Sequence, residues 1–336
     1  MTQEVGSKVW SLGQFLREPI HPPPSLLSPW LRAGNQWLVY AEAGLGKTFF
    51  ALNVAYAVAS GGAFLNWTAP APHSVLYVDG EMETWEMQAR LRGIHKAAAR
   101  DGIGNLEEAG RHFHGYCATY QEPGKAFPDL ATQEGLAVLL EKAKRKALVV
   151  IDNLTTTMRS GDENEAAYWT AMSEALLELR KRGTAVLLVH HENKSGDQRG
   201  TSAKDVTLNG KIRLARPVDH AEASGASFVI QWPKARGLTG PDRAQVQATL
   251  TQGDASLPRW EHIVFDASRH QELVRLAKSG EYSTQAQIAQ AMDVAPSYVT
   301  KLKTEAIGFG LFTSHQFQAW LRTAGELQRL EAEPEF

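Results

Sequence analysis

Residues 41–48 read AEAGLGKT and combine two glycines with an adjacent lysine and threonine. Glycines allow several backbone N–H groups to point at one anion, and a helix that begins here presents its positive end to that anion. The lysine suits the β- and γ-phosphates of a nucleoside triphosphate, and the threonine hydroxyl suits Mg²⁺. Ala41 stands where the usual pattern has glycine, so the first turn must avoid a conformation that only glycine adopts easily. The segment predicts a phosphate-binding loop with these contacts: Ala43, Gly44, Leu45, Gly46, Lys47, Thr48 and Phe49.

An acidic residue ends each of two further apolar runs. Residues 147–153 read ALVVIDN, and Asp152 is predicted to hold Mg²⁺ through water, next to the Thr48 hydroxyl. Asn153 follows it in place of a glutamate, which disfavours the AAA+ arrangement, in which the metal acid and the general base are adjacent. The base is therefore expected at the end of another strand.

Residues 75–81 read VLYVDGE and offer such a base. Glu81 is the candidate for polarising the attacking water, with Asp79 and Glu83 as rivals, and three solvated loop acids are the alternative interpretation. A further apolar run ends in a histidine pair. Of the two we favour His191 as an imidazole that contacts the γ-phosphate, although a hydrogen-bonded histidine that merely ends a strand fits equally well.

Short apolar runs alternate with helical segments from residue 35 onward, which is typical of βαβ units around a mostly parallel sheet. Because the carboxyl ends of parallel strands lie at one edge, this α/β fold class would bring the phosphate loop and the acidic residues together. The predicted strands are residues 36–40, 74–79, 147–151 and 185–190, with 211–215 and 227–232 extending the sheet. The predicted helices are residues 47–60, 84–100, 132–144 and 164–182.

The length of 336 residues fits about two domains. Residues 1–33 are predicted to form an irregular N-terminal arm, because three consecutive prolines at 22–24 disfavour both helix and strand. The α/β domain is predicted over residues 34–255. Short helical segments dominate thereafter and predict a small second domain over residues 256–330.

Residues 284–303 have helix-turn-helix spacing. Pro296 suits the first turn of the second helix, and Asp293 stands where many such motifs have glycine. The second domain is therefore predicted to be a small helical (winged) helix-turn-helix domain that can bind duplex DNA, and a hairpin that only packs or mediates oligomerisation is the alternative. The predicted core positions are Ile288, Ala289, Val294, Val299 and Leu302. The predicted DNA-facing positions are Ser297, Tyr298, Thr300, Lys301 and Lys303.

Composition excludes several classes of protein. The 35 basic and 37 acidic residues give a net charge of −2, which argues against coating nucleic acid through bulk charge but not against a local basic groove. Cys117 is the single cysteine and cannot form an internal disulfide. The most apolar stretch, residues 49–65, is interrupted by polar residues and glycines, so no membrane partner is expected and a cytoplasmic location is the default.

These motifs together resemble the RecA-like ATPases, and within them the hexameric replicative helicases of the DnaB type and the plasmid-encoded RepA helicases. The resemblance covers roughly residues 30–250. It implies a RecA-like P-loop NTPase core, ATP and Mg²⁺ as ligands, and a homo-oligomer, a hexamer in this family, that holds single-stranded DNA in a central channel.

Residues 234–240 read KARGLTG and add a more specific match to the hexameric helicases. The resemblance implies that Lys234 and Arg236 reach across the subunit boundary to the neighbour's γ-phosphate, with Arg213 as a second candidate. An arginine fork suits a developing phosphate charge. A basic turn at the surface is the alternative interpretation.

The polar loop of residues 193–204 follows the histidine pair. The resemblance implies that it faces the channel and touches single-stranded nucleic acid, although it has no aromatic residue for base stacking and a plain surface loop fits its composition equally well. Its basic residues are Lys194, Arg199 and Lys204.

The leading hypothesis is an ATP-hydrolysing, ring-forming DNA helicase or translocase of plasmid, phage or mobile-element replication. One alternative is an ATP-switched DNA-binding replication initiator, regulator or recombination mediator that does not unwind DNA. Another is a scaffold that binds nucleotide without turnover. Fold-level resemblance alone does not separate these classes.

Overall fold

A computed structural model describes the chain over residues 9–122, 124–161, 166–192, 207–217, 226–252 and 257–332. Its helices are α1 (Leu12–Arg17), α2 (Lys47–Ser60), α3 (Thr84–Asp101), α4 (Leu106–His112), α5 (Gln133–Lys142), α6 (Leu154–Thr157), α7 (Ala166–Lys181), α8 (Ala267–Lys278), α9 (Gln285–Ala291), α10 (Pro296–Gly308) and α11 (Ser314–Ala332). Its strands are β1 (Ser25–Leu27), β2 (Leu31–Arg32), β3 (Gln36–Ala41), β4 (Ala63–Phe64), β5 (Trp67–Thr68), β6 (Val75–Asp79), β7 (Phe113–Cys117), β8 (Leu148–Asp152), β9 (Ala185–His191), β10 (Gly210–Ala215), β11 (Ser227–Ala235), β12 (Val246–Gln252) and β13 (Pro258–Val264).

A nine-stranded sheet organises the fold, in the order β13-β12-β11-β10-β3-β9-β8-β6-β7. The six strands from β10 to β7 run parallel, and β11, β12 and β13 continue the sheet in antiparallel pairing. The predicted α/β class with a mostly parallel sheet is confirmed. Strand β9 separates β3, which leads into the phosphate loop, from β8, which ends in the predicted metal acid.

Both faces of the sheet are covered by helices, as a parallel sheet requires. One apolar layer packs around α2, α3 and α4, and the other around α5, α6 and α7. The central strands are buried along their whole length, which explains their continuous Val-, Leu- and Ile-rich sequences. No helix in the described ranges is both long and apolar enough to cross a membrane.

The predicted N-terminal arm differs from the structure. Strands β1 and β2 form a small antiparallel pair within it, and their leucines are buried. Trp30 joins the core as one of four tryptophans in edge-to-face contact, with ring centroids between 5.1 and 6.3 Å apart. The described part of the arm is therefore irregular only outside α1, β1 and β2, and the core begins before residue 33. The other three tryptophans are Trp37, Trp67 and Trp232.

The sheet also extends beyond its predicted end at residue 255. Strand β13 pairs with β12 from Val246↔Val264 to Gln252↔Pro258, so the sheet continues to Val264. This strand alternates between half-buried and exposed side chains near its start and is exposed thereafter, which leaves no apolar run in the sequence to mark it.

Helices α8 to α11 pack around a separate apolar cluster. Between Val264 and Ala332 the chain forms helices and turns without a strand, so the predicted wing is absent from these residues. Asp293 adopts a positive φ of 54° between α9 and α10, which explains why many related turns have glycine there. Pro296 is the first residue of α10, as its fixed φ favours.

Candidate active site

The phosphate loop lies between β3 and α2, at the carboxyl edge of the parallel strands. Ala41 is still part of β3, where it pairs with His191, and extended backbone accepts any residue. The missing first glycine is therefore not needed. Gly44 and Gly46 have φ values of 77° and 104°, which glycine adopts without strain. A Cβ atom on Gly46 would lie 2.4 Å from the Ala226 Cβ, so this position excludes every side chain.

Lys47 opens α2 and is nearly buried, with 7% exposure. Its Nζ donates to the carbonyl oxygens of Ala41 at 3.0 Å and Glu42 at 2.7 Å. Burial lowers the pKa of the ammonium, and the neighbouring carboxylates of Asp152 and Glu81 oppose that shift. The lysine is thus held over the loop by weak neutral acceptors, which a phosphate oxygen can replace with a stronger charge-assisted bond.

Asp152 ends β8 with a buried carboxyl group. It accepts hydrogen bonds from the Tyr77 hydroxyl at 2.7 Å and from Thr48. Burial raises its pKa, and the two hydroxyl donors act in the opposite direction. A carboxylate beside a hydroxyl is an oxygen-only ligand pair, so Thr48 and Asp152 fit the Mg²⁺ that the sequence predicts.

Asp79 faces Asp152 from the neighbouring strand, since the two residues are partners in the β6–β8 register. Its Oδ2 accepts the Met82 backbone N–H at 3.0 Å. Burial, followed by repulsion from Asp152, raises the pKa of Asp79 to about 7. A carboxyl group fixed to its own loop in this way stabilises the turn that carries Glu81 and is less available as a base.

Glu81 follows this turn and is exposed to the cavity. Its Oε2 accepts a short hydrogen bond from Asn153 Nδ2, and the same amide nitrogen lies 3.3 Å from His191 Nε2. Asp152 and Asn153, which are joined by a cis peptide bond, both line the cavity. The structure therefore places Glu81, the predicted base, and His191, the predicted γ-phosphate contact, on the same amide group of Asn153. In the sequence, Asn153 was notable only because it stands where the AAA+ arrangement has a glutamate.

These side chains surround a cavity of about 420 Å³. Arg90 lines it as well, with its guanidinium 4.5 Å from the centroid of the Phe49 ring and paired with Glu86. This arginine was not predicted from the sequence. Its signal is the helical spacing of Glu86 and Arg90, which places both on one face of α3, just after the N-cap residue Glu83. The lining comprises Gly44, Gly46, Lys47, Thr48, Phe49, Asp79, Glu81, Met82, Glu83, Glu86, Arg90, Asp152, Asn153 and His191.

Comparison with known proteins decides the family. A family model described as an AAA domain matches residues 3–197, which is more than half of the chain. The chain belongs to the AAA domain family. A structure of a KaiC-like protein from the hyperthermophilic archaeon Pyrococcus horikoshii OT3 is similar at 13% identity and a TM-score of 0.47, over 72% of this chain and 94% of that one. No curated protein matches.

The AAA domain of this chain has a P-loop NTPase core built on a mostly parallel sheet. The order of β10, β3, β9, β8 and β6 places the loop, the metal acid and the candidate base at one edge of the sheet. Glu81, the predicted base, follows the adjacent strand β6 and not the predicted metal acid Asp152.

The predicted trans-acting residues lie elsewhere, beyond the residues that the AAA domain model matches. Strand β11 runs antiparallel to β10 and ends at the amino edge of the sheet, where Lys234 pairs with Lys211. The Arg236 backbone N–H donates to the Asn209 carbonyl. Burial lowers the pKa of Arg180, and the positive charge of Arg236 lowers it further. Neither predicted residue lies among those that line the nucleotide cavity of its own chain.

Arg213 lies at the carboxyl edge instead, level with Tyr40 of β3. Its guanidinium pairs with the buried Glu192 carboxylate, with Nε at 2.7 Å and Nη2 at 2.6 Å. Glu192 also donates its backbone N–H to the Ala41 carbonyl. In this structure Arg213 therefore ties the end of β9 to β10, and its guanidinium is engaged within its own chain.

The predicted DNA contacts divide between two regions. On α10, Ser297 and Lys301 are exposed, whereas Tyr298 packs partly against the cluster formed by α8 to α11. Lys303 is half-buried, with its Nζ 5.9 Å from the centroid of the Phe317 ring, so it faces α11 rather than solvent. The loop positions Lys194, Arg199 and Lys204 lie outside the described residues.

Proposed function

We propose that the protein is an ATP-hydrolysing enzyme that assembles into a ring and translocates along or unwinds DNA. The observation that carries the proposal is the arrangement of one cavity. It holds a phosphate loop, an oxygen ligand pair for Mg²⁺, and a carboxylate fixed next to an imidazole. Binding alone would not require the last of these features.

The roles within the cavity follow from these positions. The loop N–H groups and Lys47 bind the phosphates of ATP, with Lys47 exchanging its carbonyl partners for phosphate oxygens. Thr48 and Asp152 would hold Mg²⁺, which when bound neutralises charge on the phosphates. Glu81 orients the attacking water and draws off its proton, and His191 contacts the γ-phosphate.

Ring assembly is supported by the placement of Lys234 and Arg236. They lie at the amino edge of the sheet, away from the phosphate loop of their own chain. They could therefore contact a nucleotide phosphate only if a neighbouring subunit binds that nucleotide. Two cations delivered by a neighbour would make hydrolysis depend on assembly. A hexamer is the ring that the sequence resemblance favours.

The DNA part of the proposal rests on two sets of residues. Lys194, Arg199 and Lys204 in the segment after β9 are the candidates for single-stranded DNA, through backbone phosphates. The α9–α10 pair supports the second candidate function, an ATP-switched binder of duplex DNA. Its turn geometry and its exposed Ser297 and Lys301 fit a helix-turn-helix.

ATP turnover tests the enzymatic part. Wild-type protein is expected to release phosphate in the presence of Mg²⁺. Lys47→Ala is expected to lose nucleotide binding, and Glu81→Gln is expected to retain binding but lose turnover by about 100-fold or more. Full turnover by Glu81→Gln would assign the base to another residue.

A pair of DNA substrates separates the two candidate functions. A helicase is expected to unwind a duplex only when it carries a single-stranded tail, and only with hydrolysable ATP. Nucleotide-dependent, sequence-specific binding to blunt duplex without strand separation would instead support the DNA-binding switch.

A further inference from the structure

The side-chain amide of Asn153 has a defined orientation. Asn153 is buried and begins α6, where its Oδ1 accepts the Thr156 backbone N–H at 3.1 Å. Only the amide oxygen can accept that bond, so the Nδ2 group must point the other way. It points into the cavity, toward Glu81 and His191.

Both protons of this amide have an acceptor. One lies on the bond to Glu81 Oε2, and the other faces His191 Nε2 at 3.3 Å. An amide nitrogen can only donate, so His191 Nε2 is the acceptor in this contact. The three side chains thus form a chain of hydrogen bonds that joins the ends of β6, β8 and β9.

We propose that Asn153 is the positioning residue of the hydrolytic site, and this inference rests on the proposed ATPase activity. It holds one oxygen of an exposed carboxylate, so that Glu81 presents its other oxygen to the attacking water in a fixed direction. Without that bond the Glu81 side chain samples several rotamers, and most of them place its oxygen away from the water.

The same amide couples the base to β9. His191 precedes Glu192, which Arg213 holds to β10 and which donates its backbone N–H to the carbonyl before the phosphate loop. Asn153 therefore links Glu81 to the end of β9 in this structure.

Two substitutions separate positioning from helix capping. Asn153→Ser and Asn153→Asp both keep a side-chain oxygen for the Thr156 N–H, because Ser and Asp are good N-cap residues. Serine is too short to reach Glu81, and aspartate replaces the donor with a second carboxylate. Asn153→Ser is expected to lower kcat by about 10- to 100-fold while the KM for ATP and the melting temperature stay near wild type. Asn153→Asp is expected to lower kcat at least as much, because its carboxylate repels Glu81.

A matched control isolates the cap. Asn105 begins α4 with the same type of bond, its Oδ1 accepting the Glu107 and Glu108 backbone N–H groups, and it does not line the nucleotide cavity. Asn105→Ser is therefore expected to leave kcat unchanged. An equal kcat loss in Asn105→Ser would show a general effect of helix capping and overturn the proposal.

A double-mutant cycle tests the route through Glu81. In a Glu81→Gln background, single-turnover hydrolysis is expected to be nearly insensitive to Asn153→Ser, because the group that it positions is already gone. An additive loss would overturn the proposal, as would wild-type kcat in both Asn153 variants. Absence of turnover in the wild-type protein would instead contradict the proposed function itself, and the two failures are therefore distinguishable.

Discussion

At the scale of single residues, two carboxyl groups share the floor of the cavity. Asp79 and Asp152 end adjacent strands and are both buried, so the folded protein disfavours ionising both of them. Lys47 offsets part of this cost at Asp152, and the backbone N–H groups of Met82 and Glu81 offset part of it at Asp79. Repulsion between these two buried carboxyl groups lowers the stability of the fold, and a bound divalent cation would reduce that repulsion.

Stability is expected to fall with pH because of Asp79. Its pKa is about 7 in the folded protein, against an ordinary value of 3.8 for an aspartate. Between these two values the folded state binds the proton more tightly than the unfolded state. The free energy of unfolding therefore decreases as pH rises from 4 to 7, by at most about 4 kcal/mol. Asp79→Asn should flatten this slope in denaturation curves recorded without divalent cations.

The exposed Asp101 provides a control for the Asp79 prediction. Its pKa is lowered by the hydrogen bond from Arg100, so Asp101→Asn should not alter the slope in that pH range. A slope that persists in Asp79→Asn would show that another group takes up the proton.

Local sequence was sufficient for part of the site. Lys47, Thr48 and Asp152 could be predicted because a loop-and-helix pattern and a strand end specify them within a few residues of chain. Asn153 and Arg90 could not. Their roles depend on contacts with Glu81 and Phe49, which are 72 and 41 positions away along the chain, and no local pattern records such distances.

At the scale of elements, burial decided which strands could be predicted. The strands and helices predicted around the cavity agree with the structure to within three residues at every end. β3, β6 and β8 are buried throughout, so each is a continuous apolar run. β7 and β13 lie at the two edges of the sheet and carry several exposed side chains, so their sequences lack that signal.

Two lysines of helix α10 differ in exposure. Lys301 is exposed and its Nζ lies 3.8 Å from Glu305, whereas Lys303 lies over the Phe317 ring. Lys301→Ala is expected to weaken duplex DNA binding by about threefold to tenfold and to reduce the salt dependence by about one ion. Fluorescence anisotropy at several salt concentrations measures both effects.

Lys303→Ala serves as the partner variant. It should leave the salt dependence of DNA binding unchanged and lower the unfolding free energy by about 0.5–1 kcal/mol, through loss of the cation–π contact. Equal effects of the two substitutions on DNA binding would contradict a recognition role for the exposed face of α10.

At the scale of the whole molecule, a shared site can be tested by complementation. Arg236→Ala and Glu81→Gln are each expected to abolish ATP turnover alone. Mixed in equal amounts, they should recover about a quarter of wild-type turnover, since a loop with intact Glu81 then meets an intact Arg236 at some subunit boundaries. Phosphate release after mixing and reassembly measures the recovery.

The control mixes Glu81→Gln with Lys47→Ala. Both changes lie in the same cavity, so no boundary in that mixture combines two intact halves and turnover should stay absent. Recovery in this control, or none in the Arg236 mixture, would place Arg236 outside a shared site.

The phosphate loop lies at the carboxyl edge of the sheet, and Lys234 and Arg236 lie at its amino edge. The two halves of a shared site would therefore come from opposite edges of the sheet. An interface that joins the carboxyl edge of one chain to the amino edge of the next is head-to-tail and cannot be a symmetric dimer. In the proposed assembly, an open row of such chains would leave the last loop without a neighbour to complete it, so the row would have one working site fewer than it has chains. Closing the row into a ring supplies the missing site without any further contact type.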